Sequence, residues 1–168
     1  MKFPALMILA ALMAPAAAQS QTQAPPGEQS VAPYAQGDAN AGAEPFKDDR
    51  LFKALHGLAG LDRVVAELIR ENQADPRTAD FFHSSDTVRL HRTLVEQLCY
   101  LAGGPCRYTG MSMAQAHAHM GVQTKDFDAV VEHLKRALDL EGVPFRDQAK
   151  LLAKLAPMKR IMVDQDRN

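Results

Sequence analysis

Apolar residues recur along this chain at helical rather than alternating intervals. Leu61, Val64, Val65, Leu68 and Ile69 fall at i, i+3, i+4, i+7 and i+8, one face of a helix. Asp75-Pro76 should stop that helix, because proline disfavours helical geometry in the residue before it. Leu90, Leu94, Leu98 and Leu101 form a second stripe, preceded by capping residues at His83-Ser84-Ser85-Asp86 and ended by Gly103-Gly104. Phe127, Val130, Val131, Leu134 and Leu138 form a third, with Thr124 as its expected cap and Gly142 as its end. Leu151, Leu152, Leu155, Met158 and Met162 form a fourth, begun at Pro144 and kinked at Pro157. A shorter apolar piece, Leu51, Phe52 and Leu55, should end at His56-Gly57 and Gly60. No alternating run is long enough to be a strand, so the pattern predicts an all-α domain.

Between the second and third stripes lies a short stretch, Met111 to Val122, closed by Gly121. It carries His117 between long apolar helices, and a neutral imidazole in a water-excluding pocket is what a haem iron requires. His117 and His119 form H-x-H, which invites a zinc reading. On a helix, however, residues two apart point about 200° away from each other, so only one faces inward. Neither C-x-x-C nor H-E-x-x-H is present. His133, beside the third stripe, is the rival ligand.

Composition refines this without changing it. Of 168 residues, 46% are apolar and 23% charged, ordinary for a globular domain. Residues 1–18 combine Lys2, an apolar run from Ala5 to Met13 and a small-residue end, the pattern of a secretory signal peptide and too short to span a bilayer without strain. Export to a periplasm or the exterior, with no membrane anchor after processing, is therefore expected. Residues 19–46 are Pro-, Gln- and Ala-rich and read as a flexible leader, which leaves 47–168 as one domain. Without Lys2 the chain has 18 basic residues against 20 acids, a net charge of −2 with no basic run, so nucleic acid is a poor partner. Cys99 and Cys106 flank Gly103-Gly104-Pro105. In an exported protein that turn can bring them into a disulfide; the alternative is two buried thiols.

Several segments, in order, resemble the group I truncated haemoglobins: VV-x-x-L-I-x(5)-D at Val64 to Asp75, Phe81-Phe82, GGPCRYTG at Gly103 to Gly110, M-x-x-x-H-x-x-x-G-V at Met113 to Val122, and GVP at Gly142 to Pro144. The resemblance covers about Leu51 to Val163. It implies a shortened globin, two helices crossed over two around haem b, with almost no regular helix on the proximal side. It also implies His117 as the iron ligand, Phe82 packed on the haem face, Val122 and Phe127 as haem contacts, and Tyr108 in the matching loop, with His133 a bystander. The sequence departs from the family pattern in two places. His56-Gly57 replaces a glycine pair. The distal position that carries a tyrosine donor falls on Ile69, and the polar positions near it fall on Leu90 and Leu94, which also count as cofactor contacts.

A donor beside a negatively polarised ligand stabilises it by roughly 1–3 kcal/mol, and Ile69, Leu90 and Leu94 offer none. Tyr100 or a water is the alternative source. His91 lies about 100° round the helix from Leu90 and would need helix rotation to become a second iron ligand. The expected function is reversible binding of diatomic gases, whether oxygen, nitric oxide or carbon monoxide, in an apolar pocket. A haem redox enzyme, such as a nitric oxide dioxygenase or peroxidase-like protein served by an unidentified reductase, is the alternative from the enzyme class. It is disfavoured because no distal acid or base is visible. A haem-free helical interaction module is the third reading.

Overall fold

A computed structural model describes residues 25–163. The expected signal peptide and the first part of the leader lie outside the described residues. Among the described residues eight α-helices follow one another: α1 (Arg50–Ala54), α2 (Gly57–Ala74), α3 (Ala79–His83), α4 (Thr87–Leu101), α5 (Met113–Ala116), α6 (Thr124–Leu140), α7 (Phe145–Leu155) and α8 (Lys159–Val163). The described residues contain no strand.

The apolar stripes decide how these helices pack. Leu61, Val64, Val65, Leu68 and Ile69 of α2 are all buried, and α2 lies against both α4 and α6. Leu98 of α4, Leu134 and Leu138 of α6 and Leu151 of α7 join them in one core. Gly60, expected as a helix stop, instead sits inside α2, where a Cβ would collide with the Leu55 carbonyl oxygen. The reversal before α2 is made by His56, in the left-handed region at φ 58°, with Nδ1 2.8 Å from Glu141 Oε1. Arg63 Nε donates to the other oxygen of the same carboxylate at 2.9 Å, so Glu141 ties the start of α2 to the end of α6.

Helix ends follow local chemistry. Asp86 caps α4, its carboxylate accepting from Arg89 N–H at 3.1 Å. The cap of α6 is Gln123 rather than Thr124: Gln123 N–H donates to the Asp126 carboxylate at 3.0 Å, and Asp126 N–H donates to the Gln123 carbonyl at 3.1 Å. At Pro157 the last apolar stripe breaks into α7, a 3-10 turn (Ala156–Met158) and α8. Cys99, on α4, and Cys106, in the loop beyond it, form a disulfide with Cα atoms 5.8 Å apart.

Residues 25–46, which belong to the expected leader, make polar contacts with the domain. Such a composition cannot build its own core, but here its polar groups are satisfied on the domain. The Gln97 amide donates to the carbonyl of fully buried Ala41 at 2.9 Å, and Phe46 N–H donates to the Leu101 carbonyl at 3.0 Å. Lys154 Nζ reaches the Glu44 carbonyl at 2.7 Å. A 3-10 turn (Asp38–Ala41) fixes the segment's last part.

Candidate functional site

A cavity of about 270 Å³ opens between α4, α6 and the stretch after α5. Its lining is overwhelmingly apolar and brings together Phe82, Leu90, Leu94, Tyr108, His117, Val122 and Phe127. Ile69 is not in its wall. That residue points into the core, and the preceding Leu68 faces the cavity from α2. A match of sequence registers cannot tell which of two adjacent buried residues faces a cavity and which faces a neighbouring helix.

His117 is placed by a very short helix. Ser112 and Gln115 form a capping box that starts α5. The helix ends after one turn, at Ala116. The Met113 carbonyl accepts from both His117 N–H at 3.2 Å and His117 Nδ1 at 2.8 Å. A carbonyl can only accept, so Nδ1 carries the proton and Nε2 keeps its lone pair. No bond to Nε2 is made by the described residues. Burial pushes the imidazole below the ordinary histidine range, against an upward pull from the Met113 bond, which keeps the ring neutral. His119, two residues on, is exposed and sits in the left-handed region at φ 63°, so the H-x-H pair diverges. Among the described residues no group of three or more His, Cys, Asp or Glu side chains is placed to hold a metal ion.

His133 and His91 are engaged away from the cavity. His133 is buried, with Nδ1 2.8 Å from Asn72 Oδ1 and Nε2 3.0 Å from Asp75 Oδ2. Both ring nitrogens are engaged, so it clamps α6 to the end of α2 and has no lone pair for a metal. His91 Nε2 faces Asp62, 3.4 Å from its carbonyl oxygen and 3.5 Å from its carboxylate, and does not line the cavity.

Polar groups in the cavity wall are mostly spoken for. The Ser85 hydroxyl donates to the Phe81 carbonyl at 2.7 Å and Thr93 to Arg89 at 2.9 Å. Tyr108 donates to the Met111 carbonyl at 2.9 Å, and burial pushes its phenol up to about 12. Tyr100 packs into a second cluster with Ala41, Leu101 and Met158 and supplies no donor to the wall. The sequence reading missed Gln97 and four methionines, Met113, Met120, Met158 and Met162, all in the wall. Met113 and His117 share the spacing M-x-x-x-H, a readable signal for the first. The others come together only through tertiary packing.

A model of the bacterial-like globin family matches residues 50–164. The chain belongs to the bacterial-like globin family. Its relatives include the group 1 truncated hemoglobin GlbN of Nostoc sp. (strain MUN 8820), 29% identical over 68% of this chain and 98% of that one. The group 1 truncated hemoglobin of Tetrahymena thermophila is 32% identical over 58% of this chain and 80% of that one. In structure this globin is similar to the truncated hemoglobin of Tetrahymena pyriformis in its Fe(III) form, with a TM-score of 0.65, 26% identity and coverage of 67% of this chain and 97% of that chain. The fold is that of the truncated, two-over-two globins, and the protein is a haem-binding globin that takes gaseous ligands. The cavity fits that group, because it offers one neutral imidazole with a free nitrogen against an apolar wall.

Proposed function

We propose that His117 is the protein ligand of the haem iron in this globin, and that oxygen, nitric oxide or carbon monoxide binds reversibly against the wall formed by Leu68, Leu90 and Leu94. The observation that carries the reading is the His117 Nδ1 bond to the Met113 carbonyl, which leaves Nε2 free at the edge of the cavity. Haem bound there supplies an iron centre that takes a diatomic ligand. The chain's own residues do the rest. Met113 fixes the tautomer and ring direction, as outer partners of metal-binding histidines do. The leucines exclude water and offer no hydrogen-bond donor. Ser85, Thr93 and Tyr108 direct their hydroxyl protons to backbone carbonyls.

A ligand that draws negative charge thus gains little from this wall, whereas a neutral, weakly polarised one loses nothing. The balance favours nitric oxide and carbon monoxide relative to a pocket with a donor. Asp126 is the acid in the wall, and its carboxylate caps α6, accepting from Gln123 N–H at 3.0 Å. That engagement weighs against proton-coupled redox turnover and for reversible binding. Export remains part of the proposal, supported by the signal-like start and by the Cys99–Cys106 disulfide, since such bonds persist in oxidising compartments. Amino-terminal sequencing of the secreted or periplasmic protein checks it: a start near Gln19 supports export, and a start at Met1 overturns it.

The ligand assignment is tested by ultraviolet-visible spectra of the mature protein, ferric and ferrous, beside His117→Ala. Strong haem absorption that weakens or changes coordination type in the variant is expected. An unchanged spectrum in the variant overturns His117 as the ligand.

A further inference from the structure

Ahead of the family match, which begins at residue 50, residues 28–42 run along α4 and the loop that leads to His117. Their polar contacts fall on three consecutive residues of that loop. The Asp38 carboxylate accepts from Tyr108 N–H at 2.9 Å, the Tyr34 hydroxyl donates to the Thr109 carbonyl at 2.9 Å, and Asn40 Nδ2 donates to the Gly110 carbonyl at 3.2 Å. Further back, the almost wholly buried Glu28 carboxylate pairs with Arg92, whose guanidinium also donates to the Thr109 hydroxyl.

The same segment touches Met113 directly. At Gly42, with φ 89°, an added Cβ would lie 2.9 Å from Met158 Cε and 3.2 Å from Met113 Cγ. Next to it, the Ala41 carbonyl holds the Gln97 amide, whose nitrogen lies 3.5 Å from Met113 Sδ. The segment therefore meets both the loop that enters α5 and the residue whose carbonyl orients His117.

We infer that residues 34–42 are a positioning strap for His117, clamping the Tyr108–Gly110 loop and backing the Met113 side chain so that the ring is held toward the cavity. The inference rests on His117 being the iron ligand. Tyr34, Asp38 and Asn40 do not line the cavity, so they act through the loop and not on haem or its ligand. Groups that bond directly to a metal-binding histidine change metal affinity by about 10–100-fold. A strap one contact further out should change haem retention by roughly three- to tenfold, the scale of one or two net hydrogen bonds.

The test uses the haem-loaded mature protein. The Asp38→Ala/Asn40→Ala double variant is compared with Asp38→Asn, which keeps an oxygen acceptor for the Tyr108 N–H. Two quantities are read: the rate of haem transfer to excess apomyoglobin, and the iron–histidine vibration of the ferrous protein by resonance Raman. The double variant is expected to release haem about three- to tenfold faster and to shift or broaden the vibration, with Asp38→Asn close to the parent. Unchanged release and an unchanged vibration overturn the inference. So does a lowered urea midpoint with the vibration unmoved, which would make the strap a general stabiliser. If the double variant does not fold, Tyr34→Phe removes a single hydroxyl and is read with the same expected direction. His117→Ala beside these separates the two ideas. A vibration retained in His117→Ala defeats the ligand assignment. Its loss there, with parent-like strap variants, defeats only the strap.

Discussion

His117 combines burial with one fixed hydrogen bond, and its titration has a definite sign. Burial lowers its folded value below the 6.5 of a free histidine. Below that pH the unfolded chain binds more protons than the native haem-free protein, so stability falls as pH drops through 6.5 and gains nothing from this group above it. A proton on Nε2 also competes with iron. The urea midpoint of the haem-free protein should therefore be lower at pH 5.5 than at 7.5 by a margin that shrinks in His117→Ala. An equal margin in parent and variant would locate the effect elsewhere. Leu68 lines the cavity, whereas its neighbour Ile69 points into the core. Leu68→Tyr should place a hydroxyl in the cavity and slow oxygen release by about 10–100-fold, the equivalent of 1–3 kcal/mol. Ile69→Tyr should instead overfill the core and cost about 1–3 kcal/mol of stability. Stopped-flow oxygen release and urea unfolding of the two variants distinguish these outcomes; slower release in Ile69→Tyr alone would restore the register read from the sequence.

At the scale of elements, α4 carries the greatest load. Asp86 caps it with one carboxylate oxygen, while the other accepts from Gln29 N–H at 2.7 Å, so the helix start also holds the segment ahead of residues 34–42. Asp86→Ala should lower stability by about 1 kcal/mol for the lost cap, and by somewhat more once the Gln29 contact is included. The far end of α4 is tied by Cys99–Cys106 to the loop that continues to Tyr108. Cys99→Ser/Cys106→Ser should cost about 2–3 kcal/mol, the value for so small a closed loop. Chemical denaturation of the variant checks this, and a loss well under 1 kcal/mol would mean that the strap holds the loop without the disulfide.

Across the whole molecule, carboxylates that join distant segments set the acid limit. The Arg63 guanidinium, with His56 second, holds Glu141 at about 2, against 4.5 for a free glutamate. The Arg92 hydrogen bond pulls Glu28 down in the same direction. A depressed carboxylate adds stability that is fully present above its unfolded value and is lost as pH falls through the folded one. Glu141 should thus lose its contribution between pH 4.5 and about 2. Glu141→Gln should flatten that part of the thermal-midpoint profile while leaving the profile above pH 5 nearly parallel to the parent. A variant profile as steep as the parent's below pH 4.5 would assign the acid limit to other carboxylates.

The helical stripes were legible because burial on one face imposes a 3.6-residue period on any amphipathic helix. They located α2, α4, α6 and the broken last helix, with the cap of α4 at the last of the four expected residues, the break at Pro157 and the cap of α6 displaced by one to Gln123. His117 was legible as a histidine among apolar residues, and the iron-ligand role that the resemblance implies for it is the one proposed above. Other features depend on contacts between residues far apart in sequence. The choice of Leu68 over Ile69 follows from how α2 is rotated between α4 and α6. The engagement of both His133 nitrogens needs Asn72 and Asp75 from another helix. The contacts of residues 34–41 need α4 and the Tyr108–Gly110 loop as partners. Local pattern determined which segments fold and which face is apolar; tertiary packing decided which side chain reaches the cavity and what holds the leader in place.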